Sequence, residues 1–326
     1  MISGQKIAVV IPAYRVAGQI GRVIRGMPAE VDRIFVVDDA SPDNVLEIVK
    51  TVQDPRLTLL RHSANRGVGA ATITGIRAAI DDNADIVVKC DGDAQMDPRN
   101  IPSLVSPLIE NMADHAKGTR FRHFEALSSM PKWRFMGNVV LTFLTKLASG
   151  YWNVMDPVNG FLATSTKMLK RLPLSKLCPR YCFETDLLIR LNTLEARVAE
   201  VAFPARYGNE LSSLRVTEAL LRFPPCLLIG FFRRVFWRYL FYDVSPVAIF
   251  GLAGTFLVLF GTGFGCYYWI KNASASIPTA TGTVMIAALS IILGFQLLIQ
   301  SIVLDIQNTP KAGSRRWSEN PEGNSF

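Results

Sequence analysis

Two uncharged apolar runs near the C-terminus limit what this chain can fold into more than any other feature. Residues 247–270 and 283–304 give runs of about 24 and about 22 residues without a formal charge. Crossing a bilayer takes roughly 20 apolar residues, and a soluble core helix is rarely apolar on every face at that length. The runs therefore predict two transmembrane helices within residues 246–306, joined by a short loop at 271–282. Arg233, Arg234 and Arg238 precede the first run, and Lys311, Arg315 and Arg316 follow the second. By the positive-inside rule both flanks lie in the cytoplasm. That makes a multi-pass protein of the inner (cytoplasmic) membrane, with the N-terminal domain and both termini cytoplasmic. Residues 216–245 mix Leu, Phe and Trp with arginines, and Pro224-Pro225 reads as a helix start. The segment is expected to hold amphipathic helices lying in the membrane interface. Residues 307–326 read as a cytoplasmic tail, disordered at its end.

The remaining bulk properties follow from this division. The net charge of +8 raises the question of nucleic acid. However, the basic residues gather beside the apolar runs, which points to anionic lipid headgroups instead. The chain enters a strand almost at once, so no secretory signal is expected. Five scattered cysteines, with Cys178-x₃-Cys182 lacking a second pair or a nearby His, argue against a zinc site and suit a reducing cytosol.

Residues 1–215 alternate strand and helix patterns. Apolar strands are expected at 6–11, 33–37, 57–61 and 86–90, with helical spacing between them. Such alternation implies right-handed crossovers and a mostly parallel sheet flanked by helices, whose ligands sit at the carboxyl ends of the strands. Those ends carry Pro12-Ala13-Tyr14, Asp38-Asp39 and Asp91-Gly92-Asp93. At the third, Gly92 would let the backbone turn so that both carboxylates aim at one spot. Paired carboxylates, with Gln95 as a further oxygen donor, suit a hard cation such as Mg²⁺ or Mn²⁺. A plain Asp-Gly turn is the alternative.

Further along, Asn65–Gly69 opens a helix, either as a phosphate cradle or as a helix-packing loop. Arg120 follows another expected strand and is a candidate diphosphate partner. Pro131–Asn138, with Trp133 and Arg134, precedes an apolar helix at 139–147 and reads as interfacial. Asp156 lies in a polar turn that ends Asn159-Gly160-Phe161. Glu184 and Asp186 sit in the first turn of a helix, where acids complement the helix dipole.

Together these residues resemble a family 2 glycosyltransferase of the GT-A, Rossmann-like fold, and more narrowly the polyprenyl-phosphate glycosyltransferases. The resemblance covers about residues 5–215. It rests on Val10-Ile11-Pro12-Ala13-Tyr14, Val36-Val37-Asp38-Asp39-Ala40-Ser41-Pro42-Asp43, Asn65-Arg66-Gly67, Asp91-Gly92-Asp93-Ala94-Gln95 with Asp97-Pro98, Gly118-Thr119-Arg120 and Asn159-Gly160-Phe161.

The resemblance implies a metal-dependent, inverting hexosyltransferase that moves a sugar from a nucleotide-sugar to polyprenyl phosphate, undecaprenyl or dolichyl. Pro12, Ala13, Tyr14, Asp39, Asp91 and Arg206 would hold the donor. Asp91, Asp93 and Gln95 would hold Mg²⁺ or Mn²⁺. Arg134 and Asn138 would meet the acceptor phosphate. Asp93, Arg120 and Asp156 would be catalytic, with Asp186 a second candidate base. The run from Arg206 to Ser213 lacks the lysine that mannose synthases carry there, which favours a UDP-sugar over GDP-mannose. No Gln-x-x-Arg-Trp motif of processive synthases is present. Two other readings are a transferase with a different glycolipid acceptor and a non-catalytic, membrane-anchored nucleotide-binding protein. Glycines in the spans would permit a homo-oligomer.

Overall fold

A computed structural model of the 326-residue chain describes residues 1–119, 132–203, 216–241 and 244–313, with backbone only at 132–136, 138 and 216–222. It divides into two compact units, one of residues 1–231 with 310–326 and one of residues 232–309.

The first unit is built on a seven-stranded sheet: β1 Ile7–Ala13, β2 Arg33–Asp38, β3 Leu57–Arg61, β4 Ile86–Lys89, β5 His115–Thr119, β6 Leu162–Ser165 and β7 Val198–Ala202. The spatial order is β3-β2-β1-β4-β6-β5-β7. Its helices are α1 Ala17–Arg25, α2 Val45–Thr51, α3 Val68–Asp81, α4 Ile101–Ile109, α5 Lys132–Ser149, α6 Phe183–Thr193 and α7 Val216–Phe236, which runs on into the second unit. Alternation along the strands sends side chains to two cores. Val9, Ile11 and Val88 pack with Ile20 and Ile24 of α1 and Leu104 of α4. Ala8, Val10, Val87 and Leu162 pack on the other face with Ile76 of α3 and Phe183 and Leu187 of α6.

The sheet is mostly parallel, as expected, with one strand reversed. β6 is antiparallel to both of its neighbours, β4 and β5, so the sheet is mixed. A four-residue apolar strand carries no sign of its direction. The reversal has a consequence for the site: β6 begins at the rim where the other strands end. Lys89 lies opposite Leu162, which brings the turn before β6 beside Asp91.

A correction concerns α7. Pro224 and Pro225 lie inside it rather than at its start. An interior proline removes its own N–H···O bond and costs ~3 kcal/mol. Apolar packing offsets this, since Leu227 and Phe231 join Ala148 of α5 and Ile189 of α6. Beyond the second unit the chain returns to the first. Lys311 bridges to Val198 and Gly313 N–H donates to the Met112 carbonyl at 2.9 Å. The tail expected to be disordered lies, from residue 314, outside the described residues.

The second unit contains α8 Pro246–Ser274 and α9 Thr281–Gln307, both long and apolar enough to cross a membrane. They approach closely at small residues, and a β-carbon on Gly254 would stand 2.8 Å from the Gly294 carbonyl oxygen. Arg234 and Arg238, expected to face headgroups, are buried. Arg234 is bonded to Asp305, and Arg238 donates to the Asn308 carbonyl.

Candidate active site

Three strand ends and the start of β6 form the rim. At the first, Pro12 and Ala13 finish β1 buried, while Tyr14 is 40% exposed. Arg15 follows with φ 58° and stacks its guanidinium over the Tyr14 ring, 5.3 Å from the centroid. Two bonds tie this loop to the next: Arg15 N–H to Ser41 Oγ at 2.7 Å and Ala17 N–H to Asp43 Oδ2 at 2.9 Å.

At the second strand end Asp39 is buried, and its carboxylate faces inward. It accepts from Arg66 N–H at 2.9 Å and Gly67 N–H at 2.7 Å, and it contacts His62 Nδ1 at 2.6 Å. Asp39 therefore fastens the end of β2 to the entry of α3. The same bonds decide between the two readings of Asn65–Gly69. Its first amides go to Asp39, and Ala70 N–H goes to the Pro179 carbonyl at 2.9 Å. Gly67 has φ 98°, and a β-carbon on Gly69 would meet the Cys178 carbonyl oxygen at 2.3 Å. This is a packing loop, with its glycines required by backbone approach.

At the third strand end the tight turn is made by Ala94, with φ 61°, rather than by Gly92. Gly92 is there for space, since a β-carbon would stand 3.1 Å from Val16 and 3.2 Å from Ile20. Asp93 accepts from Gln95 N–H at 3.0 Å, and the Gln95 side chain is exposed. Asp91 turns partly inward, pairing with Lys89 Nζ at 2.6 Å. Lys89 in turn pairs with Glu184 of α6 at 3.0 Å. Burial alone would pull the Lys89 ammonium down, but Asp91 and Glu184 outweigh it and raise its pKa.

The fourth component is Asp156, fully buried in the turn before β6. Asn159 Nδ2 donates to its Oδ2 at 3.2 Å. Glu200 of β7 accepts from the Met155 and Asp156 N–H groups at 2.7 and 3.0 Å. Lys117 of β5 donates to the Asn159 carbonyl. Burial pulls the Lys117 ammonium down to about 8, while the Glu184, Asp156 and Glu200 carboxylates oppose that shift. Burial likewise pushes the Glu200 carboxyl up.

Asp186 has other partners. It accepts from Cys178 N–H at 3.0 Å and pairs with Arg190 at 3.1 Å, so it anchors the loop before α6. Arg120 and Arg206 lie outside the described residues. Arg134 and Asn138 fall in α5, and their side chains also lie outside them.

The donor set suits a hard divalent cation. Asp93 and Gln95 offer oxygens at the rim, and Asp91 shares one oxygen with Lys89. Among the described residues no group of three His, Cys, Asp or Glu side chains is placed to hold a metal. A two-carboxylate site matches Mg²⁺, which keeps waters and takes ligands from substrate phosphates.

Four charged residues escaped the sequence reading: Lys89, Lys117, Glu184 as Lys89's partner, and Glu200. The available signal was faint: Lys89 closes the apolar run Ile86-Val87-Val88, and Lys117 stands in His115-Ala116-Lys117-Gly118-Thr119 with no apolar run around it. Lys89 and Lys117 both lie opposite Leu162, so the two sit on one rung of the sheet.

A mixed α/β sheet with this acidic rim is a GT-A-like glycosyltransferase domain. The chain belongs to glycosyl transferase family 2, whose family model matches residues 8–173. It is 31% identical over 258 residues to the UDP-N-acetylglucosamine–dolichyl-phosphate N-acetylglucosaminyltransferase of Methanococcus voltae, covering 74% of this chain and 97% of that protein. It is 25% identical over 303 residues to the dolichol-phosphate mannosyltransferase of Pyrococcus furiosus, covering 89% and 79%. In fold it resembles glucosyl-3-phosphoglycerate synthase of Mycobacterium tuberculosis, solved with Mn²⁺, UDP-glucose and phosphoglyceric acid. There the TM-score is 0.55 at 23% identity, over 71% of this chain and 80% of that one.

Proposed function

We propose that this enzyme transfers a sugar, with inversion, from a nucleoside diphosphate sugar to a polyprenyl phosphate at the cytoplasmic face of a membrane. A UDP-sugar is favoured, in keeping with the name of the Methanococcus relative. The observation that carries the reading is the register at β4 and β6. It runs the end of β4 alongside the turn before β6, with Gly160 against Asp91. Lipid as the acceptor's source is supported by the two apolar helices. Within the first unit, it is also supported by Val139, Val140, Phe143 and Leu144, which leave an exposed apolar strip on α5.

In this reading Tyr14, Pro12 and Ala13 line the base side of the donor, and Asp39 holds the loop beside them. Asp91, Asp93 and Gln95 would hold Mg²⁺ or Mn²⁺, which when bound neutralises charge on the departing diphosphate. Arg120 and Arg206 supply cations to the same diphosphate. Arg134 and Asn138 meet the acceptor phosphate, and anionic headgroups gather near the exposed strip of α5. A phosphate monoester has its second pKa near 6, so the nucleophile is largely ionised at pH 7. Asp156 then orients it more than it deprotonates it.

The test is to incubate membranes containing the full chain with labelled UDP-sugars, GDP-mannose and polyprenyl phosphate. A lipid-linked sugar labile to mild acid, lost in Asp93→Ala, is expected. An acid-stable glycolipid would move the acceptor to another lipid. Nucleotide binding without product would leave a non-catalytic binding protein.

A further inference from the structure

Lys89 is a buried cation in the middle of the candidate site. Burying an ammonium is costly unless it is paired and hydrogen-bonded. Here its bonding capacity is filled: Asp91 Oδ1 at 2.6 Å, Glu184 Oε1 at 3.0 Å and the Gly160 carbonyl at 3.4 Å. An ammonium has three donors, so these acceptors fix its position. The three acceptors come from β4's end, α6 and the turn before β6. The backbone is also cleared for the pair. A β-carbon on Gly160 would lie 2.3 Å from Asp91 Oδ2 and 2.8 Å from Lys89 Nζ. A lysine that only balanced Glu184 would need no such clearance around Asp91.

We propose that Lys89 is a positioning residue that pins Asp91 and occupies part of its charge, so that a divalent ion at the rim is held mainly through Asp93 and the substrate diphosphate. The inference rests on the proposed reading that Asp91 and Asp93 face the donor. Its physical content is a trade. With a fixed cation on one side, Asp91 is held in place without an added ion. It then contributes less to ion affinity than an unpaired carboxylate would, because charges in a partly buried site interact strongly. Ion binding stays weak until the nucleotide brings its own phosphates. A structural ion pair alone would stabilise the fold and leave ion affinity unchanged.

The experiment titrates Mn²⁺ alone into the detergent-solubilised full chain, reading free Mn²⁺ by electron paramagnetic resonance. Lys89→Met is expected to bind Mn²⁺ about tenfold more tightly than the native chain, about 1.4 kcal/mol, with a lower kcat. Adding Asp91→Asn should cancel that gain. Lys89→Met/Glu184→Gln removes one positive and one negative charge together. It keeps the local balance should the single variant fail to fold, and a smaller tightening in the same direction is expected in it. Unchanged Mn²⁺ affinity in both Lys89 variants, while Asp93→Asn still weakens binding, would overturn the role of Lys89 alone. Mn²⁺ binding indifferent to Asp93→Asn would instead overturn the metal site, and with it the reading on which this inference rests.

Discussion

Gly160 stands against Asp91 so closely that a β-carbon would lie 2.3 Å from its Oδ2. That contact joins the turn before β6 to the end of β4, and Lys89 holds the other Asp91 oxygen at 2.6 Å. Gly160→Ala should therefore displace the Asp91 carboxylate without removing any charged group. A misplacement near 1 Å in a catalytic site can cost about 10²-fold, and a loss of kcat/KM of that size is expected. The variant's far-ultraviolet circular dichroism should be native. Full activity would mean that Asp91 is free to sit elsewhere.

Asp156 and Asp186 divide by their partners. Asp186 is bonded to Cys178 N–H and Arg190, so Asp186→Asn should lower the unfolding midpoint while folded protein keeps its turnover. A weakened bond to a charged group costs about 1–3 kcal/mol. Asp156→Asn keeps the side chain's shape in its buried place beside Asn159. It should lower kcat by about 10²-fold, the size of loss expected when a group that orients the reactants is disturbed. Activity assays normalised to folded protein separate the two. Equal turnover in both variants would remove Asp156 from the mechanism.

How much of this was legible in the sequence depended on how local the signal was. The strand running into Asp91-Gly92-Asp93 was readable because apolar residues and acids adjoin in the chain. The two long helices were readable because apolar composition over such lengths has few other uses. The inward turn of Asp91 was not readable. It depends on Glu184, more than ninety residues away in sequence, and on the phase of β4 that puts Lys89 on the face α6 covers. Gly92 was assigned to the turn because glycine tolerates positive φ. The structure uses Ala94 for the turn and spends Gly92 on clearance from Val16 and Ile20. The direction of β6 was equally hidden, because Leu162–Ser165 would read the same either way. The Asp38-Asp39 pair was legible as polar, but its inward bonds to His62 and the start of α3 belong to tertiary structure.

His115 gives the first unit an acid-sensitive element. It is buried on β5, with Nδ1 2.8 Å from Thr164 Oγ1. Burial, and then the charge of Lys117, pull its pKa down to about 3. In the unfolded chain an imidazole takes its proton near 6.5. Between those values the unfolded state binds more protons, so this group's contribution is fully present above about pH 6.5 and is lost as pH falls toward 3. His115→Gln keeps a hydrogen-bonding side chain without the titration. The unfolding midpoint of the variant should fall less steeply across that window than the native one. Parallel slopes would show that His115 takes up its proton while still folded.

Within the second unit, Asp305 is the one charged residue of α9, and it is buried. Its carboxylate accepts two bonds from Arg234, at 2.7 and 3.1 Å, and one from the Tyr239 hydroxyl at 2.6 Å. Arg234 is itself only 1% exposed. Removing the carboxylate's charge weakens charge-assisted bonds in a buried place, which costs about 1–3 kcal/mol. Asp305→Asn should therefore lower the thermal midpoint of the detergent-solubilised chain sharply. Replacing these three residues by apolar groups of similar size, as Arg234→Met with Tyr239→Phe and Asp305→Leu, removes their desolvation penalty along with their mutual attraction. That triple variant should unfold near or above the native temperature. A single variant no less stable than the native chain would mean that Arg234 is held without the Asp305 charge.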